Sequence, residues 1–476
     1  LRGVLQPLLD NGHGGGAGGS NGSRGGKSRA VWSVEYSGAH GLAESGRMDC
    51  VTRETLPVRV PADLDLEAVH MPRLQMAVFR DGVSMARLSC GIQPVEPVEV
   101  YLFDDEGIVP AGVPVGRTLN LTNNLDRDIT VEMDVIAPEG ITVTPDRIRK
   151  RLPAGATRGV EVTLQAQVPS AHICLEGSID GSGEKLPPQR MPVGAWSPMQ
   201  PAWIEKRETI LVENGVLRFM INKRRCLMAV MPRSDLQCAI GVLPATLGPP
   251  YPNYGADGEP AFTITGDTGR ILVDMRIPSR QFRGAVVSQR FTLDSGPLVT
   301  MESDVTFDRP VPGGVKIRQR IIEASFRRTT VLPVSDGLLR LESYGACGSM
   351  NQMEQSVFRD GELWAAVESR DTVAGCFWAE TCPDMEFGSY FLVTMNRPVR
   401  IRNSGSRLSG IPLWFYAGPG SAESIREIWY RLRNEKIEPV ESRPAAWIAD
   451  RIVRLESGAD HLSLTLSTAV KQAMDY

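Results

Sequence analysis

At 476 residues, 42% hydrophobic and 23% charged, the chain is longer than one hydrophobic core serves, and its composition is that of a soluble multidomain globular protein. A formal net charge of -4 provides no basic field for nucleic acid, and no apolar run is long enough to span a bilayer. The eight cysteines lie far apart without a CxxC pair, so no thiolate metal site is expected, and neither a metal nor a cofactor is called for by any spacing.

The chain opens Leu1-Arg2-Gly3, without the charged and apolar regions of a secretory leader, and reads as a mature chain or part of a longer one. Residues 1–30 are low-complexity. Within them LLDNGHGGGAGGSNGSRGGKS ends on Gly26-Lys27-Ser28, yet a phosphate loop needs glycine where Asn21 stands and a helix after Ser28. The Asp10, Gly12, His13, Gly14 start resembles the metal-binding opening of cell-wall amidases, but no glutamate follows before Glu35. The stretch is therefore expected to be a flexible spacer.

Residues 31–94 form a small β-rich segment of no recognised type. WSVEY places Trp32, Val34 and Tyr36 on one face of a strand, and Arg80-Asp81-Gly82 signals a hairpin. Residues 95–180 alternate apolar and polar in Thr118 to Thr122, Ile129 to Val135, Ile141 to Val143 and Val160 to Leu164. Asn123-Asn124, Pro138-Glu139-Gly140 and Pro153-Ala154-Gly155 break that alternation, which predicts an antiparallel sandwich. Residues 181–205 are proline-rich and aperiodic and read as a linker.

From 206 to 476 the chain is a succession of strands. VLRFMIN follows an Asn214-Gly215 turn, VVSQRFTL and LVTMESDVTF flank Asp294-Ser295-Gly296, and VKIRQRII, LWAAVES, TVAGCFWA and LWFYAG come after. One helix near 421–434 is predicted, capped by Ser421 or Ser424, with Ile425, Ile428, Trp429 and Leu432 forming its docking stripe. AWIADRIVRL and LSLTLST read as closing strands. The fold class expected is all-β, with an immunoglobulin-like sandwich, a large antiparallel supersandwich and few helices.

Two resemblances follow from these residues. Asn120 to Asn123, Pro138 to Pro145 and Leu152 to Thr163 resemble the NEW3-type immunoglobulin-like domain found beside glycosidase domains, which implies a non-catalytic module. LVENGVLRFMIN, VVSQRFTLDSGPLVTMESDVTF and GIPLWFYAGPGSAESIREIWYRL resemble the C-terminal β-domain of α-mannosidase-like glycoside hydrolases, a relative of the galactose-mutarotase supersandwich.

The chemistry that the second resemblance implies lacks its residues. The histidines are His13, His40, His70, His172 and His461, so residues 208–435 contain none, whereas mutarotases use histidine for proton transfer. Nothing matches the catalytic barrel of the mannosidases. Glu302 with Asp304, and Asp384 with Glu386 if extended, form same-face carboxylate pairs whose ordinary reading is a solvated sheet face. The aromatic candidates for stacking on a sugar are Tyr251 and Tyr254, in the loop GPPYPNYG, extended by Trp378. For Trp364, Trp378, Trp414 and Trp429 a core position is the stronger expectation.

The sequence thus reads as a non-catalytic, carbohydrate-associated accessory or glycan-binding protein whose partner is a glycan or polysaccharide. The alternatives are the C-terminal part of a glycoside hydrolase and a cell-surface or filament subunit that self-associates. An extracellular or cell-surface setting is expected. Asn21-Gly22-Ser23 and Asn120-Leu121-Thr122 are glycan-acceptor sequons relevant to that setting.

Overall fold

The computed structural model describes residues 29–37, 42–49, 73–80, 83–91, 96–103, 107–179, 184–251, 257–267, 269–324, 329–334, 337–342, 353–354, 361–380, 384–388, 391–433 and 442–444. The glycine-rich stretch before Arg29 and the two expected closing strands lie outside them. Leu1–Glu96 and Pro97–Tyr476 are separate compact units. In the first, strands Arg29–Ser37, Leu42–Asp49, Arg73–Arg80 and Val83–Gly91 make one antiparallel sheet, with Arg29–Ser37 between the second and third. Arg80 pairs with Val83, where the hairpin signal lies.

The second unit begins with a two-sheet sandwich. One sheet joins Val98–Tyr101, Val115–Asn123, Thr157–Ala166 and Ile141–Thr144. The other joins Arg147–Leu152, Ile129–Ile136, Ala171–Ile179, Gln189–Trp196 and Ile108–Pro110. Alternate residues Leu119 and Leu121, Val131 and Met133, and Ile173 and Leu175 meet between the sheets, as period-two burial requires. Asn123 locks the turns together. Its side-chain Nδ2 lies 2.8 to 3.2 Å from the carbonyl oxygens of Arg127, Leu152 and Pro153, and its Oδ1 accepts from the Leu125 N–H. A buried amide in that position satisfies two turns at once.

Residues 181–205 differ from the linker that their prolines suggested. Glu184–Lys185 and Gln189–Trp196 both pair with Ala171–Ile179, and Ala202–Glu205 is already the first strand of the next sheet. Met191, Val193 and Ala195 alternate into the first core, so Pro192 interrupts a strand that is strand by burial. The two sandwiches meet without a free spacer. Ile108, Ala202, Ile204 and Leu211 form a small shared cluster, and the Lys206 ammonium donates to the Leu102 carbonyl. Buried Glu213 accepts from Arg218 and Arg233, and the Arg233 guanidinium lies over the Trp196 ring. Gly215 is required here by close approach, because a Cβ would sit 2.7 Å from that ring.

The larger sandwich packs two sheets face to face. Its nine-stranded sheet runs Ala202–Glu205, Thr209–Glu213, Leu217–Asn222, Leu227–Pro232, Ile240–Gly248, Val311–Glu323, Phe391–Ile401, Asp384–Gly388, Met353–Glu354. The opposing eleven-stranded sheet includes Arg270–Pro278, Ala285–Asp294, Leu298–Phe307, Leu413–Pro419, Thr372–Trp378 and Trp364–Glu368. Ile271, Val273, Met275 and Ile277 from one sheet meet Phe219, Ile221, Val242 and Ile317 from the other in a continuous core. The predicted turns stitch its end: Asn214 Nδ2 donates to the carbonyls of Asp294 and Gly296 at 3.0 and 2.8 Å.

The helix Ala422–Arg433 is the one α-helix among the described residues. Ser421 precedes it: its N–H donates to Ser424 Oγ at 3.3 Å and its hydroxyl donates to Glu423 Oε2 at 2.7 Å. Its buried stripe is Ala422, Ile425, Arg426, Trp429 and Tyr430. Leu432, expected in that stripe, is 51% exposed, because the face is centred one residue away, on Arg426 and Tyr430. Both earn their burial through Glu362, which accepts from Arg426, from the Tyr430 hydroxyl at 3.0 Å and from the Trp364 indole at 3.0 Å. Burial pushes the Glu362 carboxyl up. The hydrogen bonds from Arg426, Trp364 and Tyr430, with the Arg426 charge, together outweigh it and hold the group below its ordinary value of 4.5.

Trp429→Ala is expected to cost roughly 3 to 5 kcal/mol in denaturant unfolding, while Leu432→Ala stays within about 0.5 kcal/mol. Glu362→Gln leaves a buried guanidinium without its carboxylate and is expected to cost about 3 to 5 kcal/mol. Because the folded pKa is depressed, the contribution of Glu362 is complete above 4.5 and is lost as pH falls through the lower folded value. The Gln variant should therefore show a shallower acid loss of stability than the parent, which a melt series from neutral to acidic pH measures.

Candidate functional site

Strand Val311–Glu323 carries the sequence VKIRQRII, in which every second residue belongs to the inter-sheet core. Val315, Ile317 and Ile321 are buried there, and Gln319 joins them by exchanging hydrogen bonds with the backbone of Ile411. Strand geometry then places Lys316, Arg318 and Arg320 on the opposite, outward face of the nine-stranded sheet. Lys316 and Arg318 are half-buried, and Arg320 is only 2% exposed. A guanidinium stays charged at all ordinary pH, so its burial on this face is costly unless polar groups surround it.

Polar neighbours are supplied by register. Arg318 lies between Thr246 on one side and Asn396 on the other, and Arg320 lies between Leu243 and Thr394. Thr246, Thr394 and Asn396 are all buried. Arg318 Nε donates to Asn396 Oδ1 at 2.8 Å. Thr246 reaches its place because the Ile240–Gly248 strand bulges between Leu243 and Thr246. The N–H of Ala245, turned inward at the bulge, is taken up by Gln289 Oε1 at 3.2 Å, and Gln289 Nε2 in turn donates to Ser303 Oγ at 3.2 Å. Thr246 Oγ1 is buried and has no hydrogen-bond partner.

Tyr251 belongs to this face. Its loop was expected to hold the ring out from the surface, but the ring folds back instead. The Arg318 guanidinium sits 3.4 Å from the ring centroid, and a Cβ on Gly248 would lie 2.5 Å from the ring edge. One face of the ring is thus occupied by a cation, and the glycine is what lets the loop close. Tyr254 lies outside the described residues. Trp378, the third aromatic candidate, is 1% exposed in the inter-sheet core and is removed from any surface platform. Trp364 and Trp429 are buried as well, and Trp414 packs against the helix-side core.

The carboxylate pairs part company. Asp304 accepts from Arg407 and Ser409, and it is the Arg407 hydrogen bond above all that lowers its pKa, against mild burial. Glu302 is exposed, and the neighbouring Arg290 is paired with Asp274. This is an ion-paired surface, the ordinary reading. Asp384 and Glu386 do lie on an extended strand, at register positions opposite Asn396 and Thr394, one strand beyond the arginine row. The basic run Arg149-Lys150-Arg151 is likewise a paired surface, with Arg149 on Glu132 and Arg151 on Asp128. Asn120 of the second sequon is a buried side chain donating to the Thr118 carbonyl, a poor glycan acceptor. Among the described residues no cluster of His, Cys, Asp or Glu could hold a metal ion, and no helix is long and apolar enough to cross a membrane.

The arginine row was not singled out by the sequence reading. Its signal is present in VKIRQRII, where cations occupy alternate positions between core residues. An inward-facing apolar set implies an outward-facing basic set.

No family model matches the sequence, and no curated protein matches it. Solved structures similar to parts of the chain include YeaD of Salmonella typhimurium, proposed to be a mutarotase. It is 7% identical over 47% of this chain and 95% of its own, with a TM-score of 0.27. A β-glucuronidase of glycoside hydrolase family 2 is 8% identical over 81% of this chain and 36% of its own, with a TM-score of 0.18. WR4, a C. elegans member of the MSP family, is 12% identical over 21% of this chain and 99% of its own, at 0.17. Similarities at this level carry no inference about function.

Because Tyr251 stacks on Arg318, Tyr251→Ala is expected to lower stability by about 1 to 2 kcal/mol. Urea unfolding of the full chain measures this, and a neutral result would place the ring away from the guanidinium.

Proposed function

We propose that this protein is a non-catalytic, carbohydrate-associated β-protein that binds a glycan on the outward face of the nine-stranded sheet, in an extracellular or cell-surface setting. The observation that carries the reading is a row of buried polar side chains, Thr246, Arg318, Arg320, Thr394 and Asn396, on the sheet face turned away from the hydrophobic core. Sugars present many hydroxyls, each of which must exchange water for a protein donor or acceptor. A face rich in guanidinium, amide and hydroxyl groups supplies both kinds. The likeness of LVENGVLRFMIN and GIPLWFYAGPGSAESIREIWYRL to the C-terminal domain of α-mannosidase-like hydrolases supports the same reading.

One observation favours a second reading, a glycosidase. Asp384 and Glu386 occupy alternate positions of one strand, opposite Asn396 and Thr394 in register. A pair of carboxylates is the residue set that glycoside hydrolysis uses.

The test is retention of the full chain on a polysaccharide array, with released reducing ends assayed in parallel. Retention without hydrolysis is expected, and Asn396→Ala should weaken binding by roughly ten-fold through loss of one or two hydrogen bonds. Reducing ends that disappear in Asp384→Asn and Glu386→Gln would replace this reading with the glycosidase. Absence of any retained glycan would end both.

A further inference from the structure

Resting on that reading, we infer that the face selects an acidic sugar, one bearing carboxylate or sulfate groups, and that Arg318 with Thr246 forms the anion-reading site. Lys316, Arg318 and Arg320 make a cationic ladder along one strand, with steps of roughly 6 to 7 Å. The residues registered beside Arg318 are neutral on both sides, Thr246 on one strand and Asn396 on the other.

Arg318 is held for this purpose in two directions. The Asn396 bond fixes its guanidinium in plane through Nε, and the Tyr251 ring fixes it out of plane. Neither contact is anionic. Nε is thereby spent and the two terminal nitrogens remain as a fork, the geometry that receives a carboxylate or sulfate through two parallel hydrogen bonds. Thr246 is the independent observation. Its Oγ1 is buried without a hydrogen-bond partner at the register position directly beside Arg318. A buried hydroxyl with no partner is uncommon in a folded protein, and a ligand oxygen anchored on the Arg318 fork would supply one.

Titration calorimetry of the full chain tests this with four probes: a galacturonic acid tetrasaccharide, the matching galactose tetrasaccharide, a sulfated disaccharide and inorganic phosphate. An acidic sugar is expected to bind at least about ten-fold more tightly than the neutral one, the size of effect that a charge-assisted fork gives. Arg318→Gln should abolish that preference, bringing the acidic and the neutral tetrasaccharide to the same affinity. Thr246→Val, nearly isosteric and free of any lost internal bond, should reduce acidic binding several-fold. It carries the test alone if the arginine variant does not fold. The uronate and sulfate arms identify which anion is read.

Equal binding of acidic and neutral tetrasaccharides, or a preference untouched by both variants, would overturn the inference and leave the carbohydrate reading intact. Phosphate binding as tight as the acidic sugar, with the same dependence on Arg318, would reduce the site to a charge sink and overturn it too. Binding of no sugar at all would remove the underlying reading as well.

Discussion

The period of two along strand Val311–Glu323 is the constraint on which the rest of the large sandwich depends. Val315, Ile317, Gln319 and Ile321 fill the space between the sheets, so Lys316, Arg318 and Arg320 must leave it on the other side. A slip of one residue would bury three cations among Phe219, Val242 and Val393, at a cost no local contact could offset. Core and polar face are one decision made once, by the hydrophobic residues. The outward row follows as its complement.

Given that register, a few buried polar groups fix the details that apolar packing leaves open. The bulge at Leu243 to Thr246 would strand the Ala245 N–H in the core. Gln289 reaches across from the opposite sheet to accept it, and Gln319 does the same for Ile411. Each such bond contributes only about 1 kcal/mol net, but leaving its group unpaired costs roughly 1 to 3. Their value is in specifying position: Gln289 holds the bulge, and the bulge sets Thr246 beside Arg318. The Glu362, Arg426 and Tyr430 cluster does the equivalent for the helix, fixing which face docks where the apolar stripe alone would allow Leu432 to compete.

How far these features were readable from the sequence depends on whether the cause was local. Strand existence was legible, because alternation such as ILVDMRI and VVSQRFTL is itself the burial pattern. The Asn214 and Asp294 turns were legible because turn chemistry is short-range. The end of a strand at Asn123-Asn124 was legible as a break in alternation, but not that the Asn123 amide ties two turns of the first sandwich, because its partners at Leu152 and Pro153 are distant in the chain. The linker reading over 181–205 did not survive, because proline signals in LPPQRMPVGAW outweighed an alternation of only Met191, Val193 and Ala195. Tyr251 was found but misplaced. That its ring folds onto Arg318 depends on Gly248 and on a strand some 65 residues away, which no local pattern encodes. Trp378 could be assigned to the core or the surface only once its strand had neighbours on both sides.

Under the proposed reading, the arginines of the outward face hold a ligand and do not themselves transfer protons. Arginine keeps its proton at any working pH, so Arg318 and Arg320 can orient and neutralise but cannot serve as general acid or base. Residues 208–435 have no histidine, which leaves proton transfer to carboxylates. Asp384 and Glu386 are the acidic positions nearest in register, and their strand is separated from the Arg318 strand by Phe391–Ile401, a distance of roughly 9 to 10 Å across the sheet. Under the proposed reading, a sugar anchored on Arg318 therefore reaches the strand of Asp384 and Glu386 only by lying across the sheet. On that reading, the orientation of the ligand on the sheet is thus the physical variable that separates a binding face from an active site.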